Sequence, residues 1–274
     1  MTKKRDRTKK PSIPHGWKAP YAQVMRWLDD LEDALRDQNF KLAKQLAQKI
    51  LRHVPAHSAP GKDALCHLGT ALAMLDEYEA SYQALSEALA MQPERSDLWY
   101  NRSLSACFTI RIGQSLRDLE QAVALEHDQS LLAVYNERLD FMRHIVADEI
   151  ALRGPDFTLE RLIEQQHLFN QALALFQAKR YSEAELAFKR VIEIADILPQ
   201  PWANLAGCYM WQERYDEAEA ALQRALEIDP SYELAQQNLQ QMPTIRQYGL
   251  AALKTSIKLA FAGEQISHGV IFTK

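Results

Sequence analysis

Residues 202–209 read Trp202-Ala203-Asn204-Leu205-Ala206-Gly207-Cys208-Tyr209, and Tyr215, Ala218, Leu222, Ala225 and Pro230 follow. The small residues Ala206, Ala218 and Ala225 let two helices approach closely, and Trp202, Leu205, Tyr209 and Leu222 fill the gaps between them. Pro230 ends the second helix, because it cannot donate a helical hydrogen bond.

The same register recurs along the chain. Residues 62–95 give Leu65, Leu68, Gly69, Leu72, Tyr78, Ser81, Leu85, Ala88 and Pro93. Residues 96–129 give Trp99, Ser103, Ala106, Ser115, Leu119 and Ala122, with Arg102 and His127 departing from the pattern. Residues 165–198 give Leu168, Ala172, Leu175, Tyr181, Ala184, Phe188 and Val191, and the closing proline comes late, at Pro199. Residues 24–57 are a weaker copy, with Trp27, Ala34, Phe40, Ala43, Ile50 and Pro55, and with Leu31 where a small residue is wanted. With residues 199–232 these make five copies in compatible register.

The unit resembles the tetratricopeptide repeat, a 34-residue helix–turn–helix. Ala206 stands where the family has its eighth-position glycine. The resemblance covers about residues 24–232 and implies an all-α, right-handed superhelical solenoid. It divides the chain into a disordered basic tail (1–18), an N-terminal array (19–129), an irregular helical connector (130–164), a C-terminal array (165–232), and capping helices with a tail (233–274).

The connector is out of phase with the repeats. Leu131, Tyr135, Met142, Val146 and Ile150 form a helical stripe through the place where a repeat turn belongs. Gly154-Pro155-Asp156 breaks it, and Thr158 or Asp156 can cap a new helix from about Leu159 to Ala178. Two helices, one of them long, are expected to join the arrays, with Gly154-Pro155 either a hinge or a rigid corner. After Pro230, residues 232–241 can form another first helix, interrupted at Met242-Pro243. Residues 244–262 then form an amphipathic helix that covers the apolar face of the last repeat. Residues 267–274 read as an extended or frayed end.

Composition narrows the function. Hydrophobic residues at 47% and charged residues at 25% fit a soluble globular chain, and a net charge of −4 speaks against bulk attraction to nucleic acid. The basic charge is concentrated in Lys3, Lys4, Arg5, Arg7, Lys9, Lys10 and Lys18, with only Asp6 against it. That segment reads as mobile. Cys66, Cys107 and Cys208 are odd in number and far apart, which argues for a reducing cytoplasm over a disulfide framework. No apolar run reaches the ~20 residues that span a bilayer, and no secretory signal opens the chain. Cys66 beside His67, with His53 and His57 upstream, lacks a second ligand pair, so no metal is expected. No phosphate loop, nucleophile elbow or zinc-protease motif is present. Acidic pairs such as Asp29-Asp30 and Glu217/Glu219 lie on solvated faces. The expectation is a non-enzymatic protein without cofactors.

By the resemblance, positions 2, 5, 6, 9, 12 and 13 of each repeat face a concave groove. Position 6 holds His67, Asn101, Asn170 and Asn204 in the four stronger copies. An asparagine offers a donor and an acceptor to an extended peptide backbone. These asparagines resemble the asparagine ladder of the O-linked N-acetylglucosamine transferase repeat domain. Beside them stand Tyr100, Phe108, Phe169, Phe176, Met210 and Trp211, with Met74 further along. Such a row is a peptide-binding surface, a face covered by the chain's own tail or another subunit, or in part ordinary core. Asp63 and Asp97 at position 2 argue against capture of a C-terminal carboxylate, as do Leu28 and Glu32 in the first copy. The reading is a cytoplasmic protein–protein scaffold or adaptor that binds an extended or helical segment of a partner. The alternatives are a nucleic-acid or ribonucleoprotein accessory acting through the basic tail, and an oligomer that self-assembles through the apolar groove.

Overall fold

The computed structural model describes residues 13–250. Among these residues the secondary structure is entirely helical. The helices are α1 (Tyr21–Arg36), α2 (Phe40–His53), α3 (Ala59–Met74), α4 (Tyr78–Met91), α5 (Ser96–Cys107), α6 (Ile112–Leu125), α7 (Gln129–Arg153), α8 (Leu159–Gln177), α9 (Tyr181–Ile194), α10 (Pro199–Trp211), α11 (Tyr215–Ile228) and α12 (Glu233–Tyr248). The chain is a helical repeat protein. The pairs α1/α2, α3/α4, α5/α6, α8/α9 and α10/α11 fall on the five copies of the sequence pattern.

One turn joins the helices of every pair. Gln38, Asp76, Ile110, Lys179 and Glu213 take left-handed φ values between 55° and 61°. Each is the fifteenth residue of its copy. The next residue's N–H returns to the carbonyl five residues back, as from Asn39 to Ala34 (2.8 Å), Glu77 to Leu72 (2.9 Å), Arg180 to Leu175 (2.9 Å) and Arg214 to Tyr209 (3.0 Å). These bonds satisfy carbonyls that a helix end leaves open.

Within each pair the small residues act as contact points. A methyl group on Gly69 would lie 2.5 Å from Leu85 Cγ, so α3 and α4 meet there without a side chain between them. Ser81 Oγ donates to the Gly69 carbonyl (2.8 Å), and Ser115 Oγ donates to the Ser103 carbonyl (2.9 Å), at the equivalent place one copy later. The indole N–H groups also recur in role: Trp99 Nε1 bonds the Pro93 carbonyl (2.8 Å) and Trp202 Nε1 bonds Asp196 (2.6 Å), each tying a first helix to the loop before it.

Arg102, which breaks the sequence pattern, is accommodated by a charged partner. Its Nε and Nη2 donate to the two carboxylate oxygens of Asp118 (2.7 and 2.6 Å), and its guanidinium lies over Trp99 (4.9 Å). Asp118 is fully buried and also accepts from Gln114 (2.7 Å). A bidentate ion pair stands at the position that Leu68 and Leu205 hold in two other copies.

The described chain divides into two compact units, 13–109 with 114–141, and 110–113 with 142–250. The first unit has one core around α1–α3, including Trp27, Leu31, Ala43 and Ile50, and another around α3–α5, including Leu65, Leu72, Leu85 and Leu98. The second has a single larger core running from Phe169 to Ile245.

Three boundaries differ from the sequence reading. The part of the 1–18 tail that is described is ordered. Trp17 N–H closes a turn on the Pro14 carbonyl (3.0 Å), Lys18 N–H bonds the His53 carbonyl (2.7 Å), and the Trp17 ring stacks on Tyr21. Trp17 thus anchors the described residues just before α1. Second, α12 runs through Met242-Pro243 without interruption. Met242 and Ile245 are buried on either side of the exposed Pro243, and that burial outweighs the one helical bond its ring removes. Third, the helix expected over 244–262 does not begin at 244. α12 ends at Tyr248, and Gly249 (φ 72°) closes it with an N–H bond to Ile245 (2.8 Å). Residues 251–262, the 267–274 end and the basic residues 3–10 lie outside the described residues.

The connector has the two helices expected, α7 and α8. Tyr135, Met142 and Val146 of the predicted stripe are buried, as is Leu139, while Leu131 is exposed. Thr158 is the cap of α8, its Oγ1 accepting from Arg161 N–H (3.3 Å). The corner before it is tied by side chains. Arg153 donates to the Glu149 carboxylate (2.7 Å) and to Gln165 on α8 (2.8 Å). The buried Phe157 ring lies under the guanidinium groups of Arg153 and Arg161.

Candidate functional site

In the first unit, α3 and α5 pack side by side and carry the first-helix faces of two successive copies. His67, Tyr100, Asn101 and Phe108 are half-buried there, and Met74 is exposed. Tyr100 stacks on Tyr135 of α7 (4.3 Å between centroids, 14° between planes), and Phe108 stacks on Tyr78 of α4 (4.2 Å, 15°). These rings therefore have fixed planes, which limits the rotamer entropy they lose on contact with a ligand.

Burial pushes the His67 imidazole below its ordinary pKa of 6.5, with Glu32 and Asp63 opposing the shift. Burial also raises the Cys66 thiol. Cys66 Sγ accepts from Gln92 (3.4 Å) and Arg95 (3.5 Å), so its neighbours here are donors rather than further metal ligands. Asp97 does not present a bare negative charge. Arg95 holds it through two bonds (3.0 and 2.5 Å), which weakens the repulsion of anions expected from this position.

In the second unit the expected exposed row does not form. Phe169 and Phe176 are buried, and Met210 is 0% exposed. These three occupy positions 5 and 12, which turn toward neighbouring helices and join the core. Phe169 meets Phe188 edge-on, and Phe176 meets Tyr181 edge-on. Trp211, at position 13, is 47% exposed and lies flat on Tyr181 (5.4 Å, 3°). Tyr181 was not among the candidates. It opens a second helix, and nothing in the repeat pattern marks it as the support of an exposed indole.

The asparagines also have separate roles. Asn170 Nδ2 donates to the Ile110 carbonyl (3.1 Å) and to the Gln166 carbonyl (3.0 Å). Gln166 Oε1 accepts from Gly113 N–H (3.0 Å). A methyl group on Gly113 would lie 2.7 Å from Ile163 Cγ1, so the turn 110–113 is seated tightly on α8. This occupies the donors of Asn170, and its reading as a free rung for a ligand is corrected to a clip between segments of the chain. Asn204 is 3% exposed and donates to the Gln200 carbonyl one turn back (3.0 Å).

Beside Trp211 lies a polar network around Glu185. Its carboxylate accepts from Lys189 (2.7 Å), Gln212 (3.0 Å) and Arg214 (2.6 Å). Burial alone would raise its pKa, but the bonds from Lys189, Gln212 and Arg214 outweigh that and hold it below the ordinary carboxylate value. The Arg214 guanidinium lies over the Tyr209 ring (4.4 Å). The network fixes the turn that follows Trp211. Among the described residues no helix is long and apolar enough to cross a membrane.

Residues 175–242 match the family model of the tetratricopeptide repeat. No curated protein matches the sequence. Among solved structures, the chain is similar to YrrB, a tetratricopeptide repeat protein with an unusual peptide-binding site (16% identity, covering 79% of this chain and 92% of that one, TM-score 0.37). It is also similar to the MamA protein (13% identity, 77% and 93% covered, TM-score 0.37) and to the tetratricopeptide repeat domain of P58(IPK) (13% identity, 81% and 55% covered, TM-score 0.43). Residues 175–242 thus carry the tetratricopeptide match, within a chain whose described residues form recurring helix pairs.

Proposed function

We propose that the chain is a non-enzymatic adaptor that holds a segment of a partner protein against its first-helix faces. The observation that carries this reading is Trp211. It is an indole 47% exposed on the first helix of the matched repeat, backed by Tyr181 and flanked by the Glu185 network. A large aromatic held in one plane and open to solvent is the kind of side chain that supplies most of an interface's affinity. In the first unit, His67, Met74, Tyr100, Asn101 and Phe108 offer a second face of mixed polar and aromatic character.

A photo-crosslinking residue placed at position 211 tests this, with position 186 as control. Leu186 is also exposed but lies on the second helix α9. The reading expects a protein captured from the native lysate through position 211 and not through 186. Trp211→Ala should then weaken that protein's binding by at least tenfold, as an anchor worth ~2 kcal/mol implies. Equal capture at both positions, or unchanged affinity, overturns it.

A further inference from the structure

Neither residues 7–28 nor residues 40–62 contain an aspartate or a glutamate. The first unit brings the described parts of these two stretches together at one end of the α1/α2 pair. Lys18 N–H bonds the His53 carbonyl at the end of α2 (2.7 Å), and a methyl group on Gly16 would lie 3.5 Å from Pro55 Cγ. The first turn of α1 holds no acid, and the last turn of α2 holds Arg52 and His53. Lys18 and Arg52 are exposed, and neither has a carboxylate partner among the described residues. One turn before Arg52, the Lys49 ammonium lies over the Trp27 ring (4.1 Å). The first acid of α1 is Asp29, eight residues past Tyr21 and therefore about 12 Å along the helix. In sequence, the six cations from Lys3 to Lys10 lie within ten residues of Ile13 and add their charge to this same end. A chain of net charge −4 thus gathers its basic groups at one corner.

Apolar groups stand beside these cations. Ile13 is 53% exposed and Tyr21 is 55% exposed, and the Tyr21 ring stacks on Trp17 (5.8 Å between centroids, 24° between planes). The cations alone fit any polyanion. Ile13 narrows the choice, because an aliphatic side chain gains nothing from phosphate but gains from hydrocarbon. Tyrosine and tryptophan are the rings that settle at the headgroup level of a bilayer, one edge apolar and the other wet. An anionic bilayer is a polyanion with an apolar layer directly beneath its charge. We propose that this corner of the first unit, with Ile13, Trp17, Lys18, Tyr21 and Arg52 and the basic residues that precede them, adsorbs on an anionic lipid surface. Adsorption lies in the interface and needs no spanning helix. Two signals act together: each cation near an anionic leaflet contributes about fivefold in partitioning, and burial of Ile13 and Tyr21 adds the apolar part. This surface is separate from Trp211, so the proposal stands or falls apart from the adaptor reading.

The test is co-sedimentation of the full chain with large vesicles of phosphatidylcholine, plain or with a quarter phosphatidylglycerol. Binding is expected to the charged vesicles only and should weaken as salt screens the attraction. Lys18→Gln/Arg52→Gln should weaken it about tenfold, while Lys179→Gln/Arg190→Gln, the same charge change on exposed residues of the second unit, should leave it unchanged. Ile13→Ser/Tyr21→Ser keeps every charge and should weaken binding about fivefold or more. Should the Tyr21 change unsettle the fold, Ile13→Ser alone gives the same readout at about twofold. No binding to charged vesicles, or equal binding to both kinds, overturns the proposal. So does equal weakening by the two glutamine pairs, which would reduce the effect to net charge. Loss of binding on deletion of residues 1–12 with no effect of the Lys18/Arg52 pair would give the contact to the preceding segment alone and also overturns it. A labelled RNA hairpin is the last arm. If it is bound at a salt concentration where charged vesicles are not, and Ile13→Ser/Tyr21→Ser binds it normally, the corner serves nucleic acid and the proposal falls.

Discussion

The side-chain amide of Asn170 donates to the carbonyl oxygen of Ile110, 60 residues earlier in the chain. Ile110 is the left-handed residue of its turn, and the adjoining Gly113 N–H is held by Gln166, one helical turn from Asn170. A side chain that sequence periodicity assigns to a ligand surface is thus used to seat a distant turn. Asn170→Ala should destabilise the fold by about 1–3 kcal/mol, because it leaves a partly buried carbonyl without its donor. Asn101→Ala, at the same repeat position in the first unit, should cost under about 1 kcal/mol. Urea denaturation of the two variants checks the difference, and equal losses would contradict the assigned role of Asn170.

Arg102 and Asp118 make a second contrast between position and partner. Asp118 is fully buried, and its two oxygens are held by one guanidinium. Arg102→Leu installs the residue that two other copies carry at this position, Leu68 and Leu205, yet it should destabilise by about 3–5 kcal/mol, since it strands a buried carboxylate. The double variant Arg102→Leu/Asp118→Leu removes both charges and should recover most of that loss. A double-mutant cycle in urea measures the coupling. A double variant no more stable than Arg102→Leu alone would show that the pair is not the reason Arg102 is tolerated.

The five turns carry a signal that the sequence does not display. Gln38, Asp76, Ile110, Lys179 and Glu213 share one left-handed conformation, but none is glycine. The strain of a Cβ in that region is about 1–2 kcal/mol. Glu213 and Lys179 are exposed, so replacement with glycine removes strain without removing a packed side chain. Part of the gain is offset by the entropy glycine brings to the unfolded chain. Glu213→Gly should therefore raise stability by about 0.5–1 kcal/mol, visible as a higher melting temperature. A loss of stability would mean that the turn needs more than its backbone conformation.

Much of the helix order was legible because packing between the two helices of a repeat is local. Gly69, Ala206, Ala218 and their equivalents mark the contacts directly, and the close approach of Gly69 to Leu85 shows why the pattern needs small residues there. The candidate site was less legible, because exposure on a first helix depends on its neighbours along the array. Position 12 holds Phe176 and Met210, both buried, while position 13 holds the exposed Trp211, one residue further round the helix. The clip from Asn170 to Ile110 joins segments far apart in the chain, and no periodicity encodes it. Pro243 misled for the opposite reason. Local composition argued for a break, and the burial of Met242 and Ile245 decided otherwise.

Met210 and Trp211 allow the sharpest separation of core from surface. They are adjacent in the chain, yet Met210 is 0% exposed and Trp211 is 47% exposed. Truncating Met210 to alanine opens a cavity in the core of the second unit and should cost about 2–5 kcal/mol. Any effect of that change on partner binding should follow from lost stability and disappear when binding is measured well below the melting temperature. Truncating Trp211 removes its stack on Tyr181 and some half-exposed area, which should cost no more than about 1 kcal/mol. Its effect on partner affinity should be larger than that, ~2 kcal/mol, if the indole is an anchor. Melting curves and binding isotherms on the two variants settle the assignment. A Trp211→Ala variant that unfolds like Met210→Ala would make the indole part of the core, and the first-helix surface of the second unit would then have to be sought away from it.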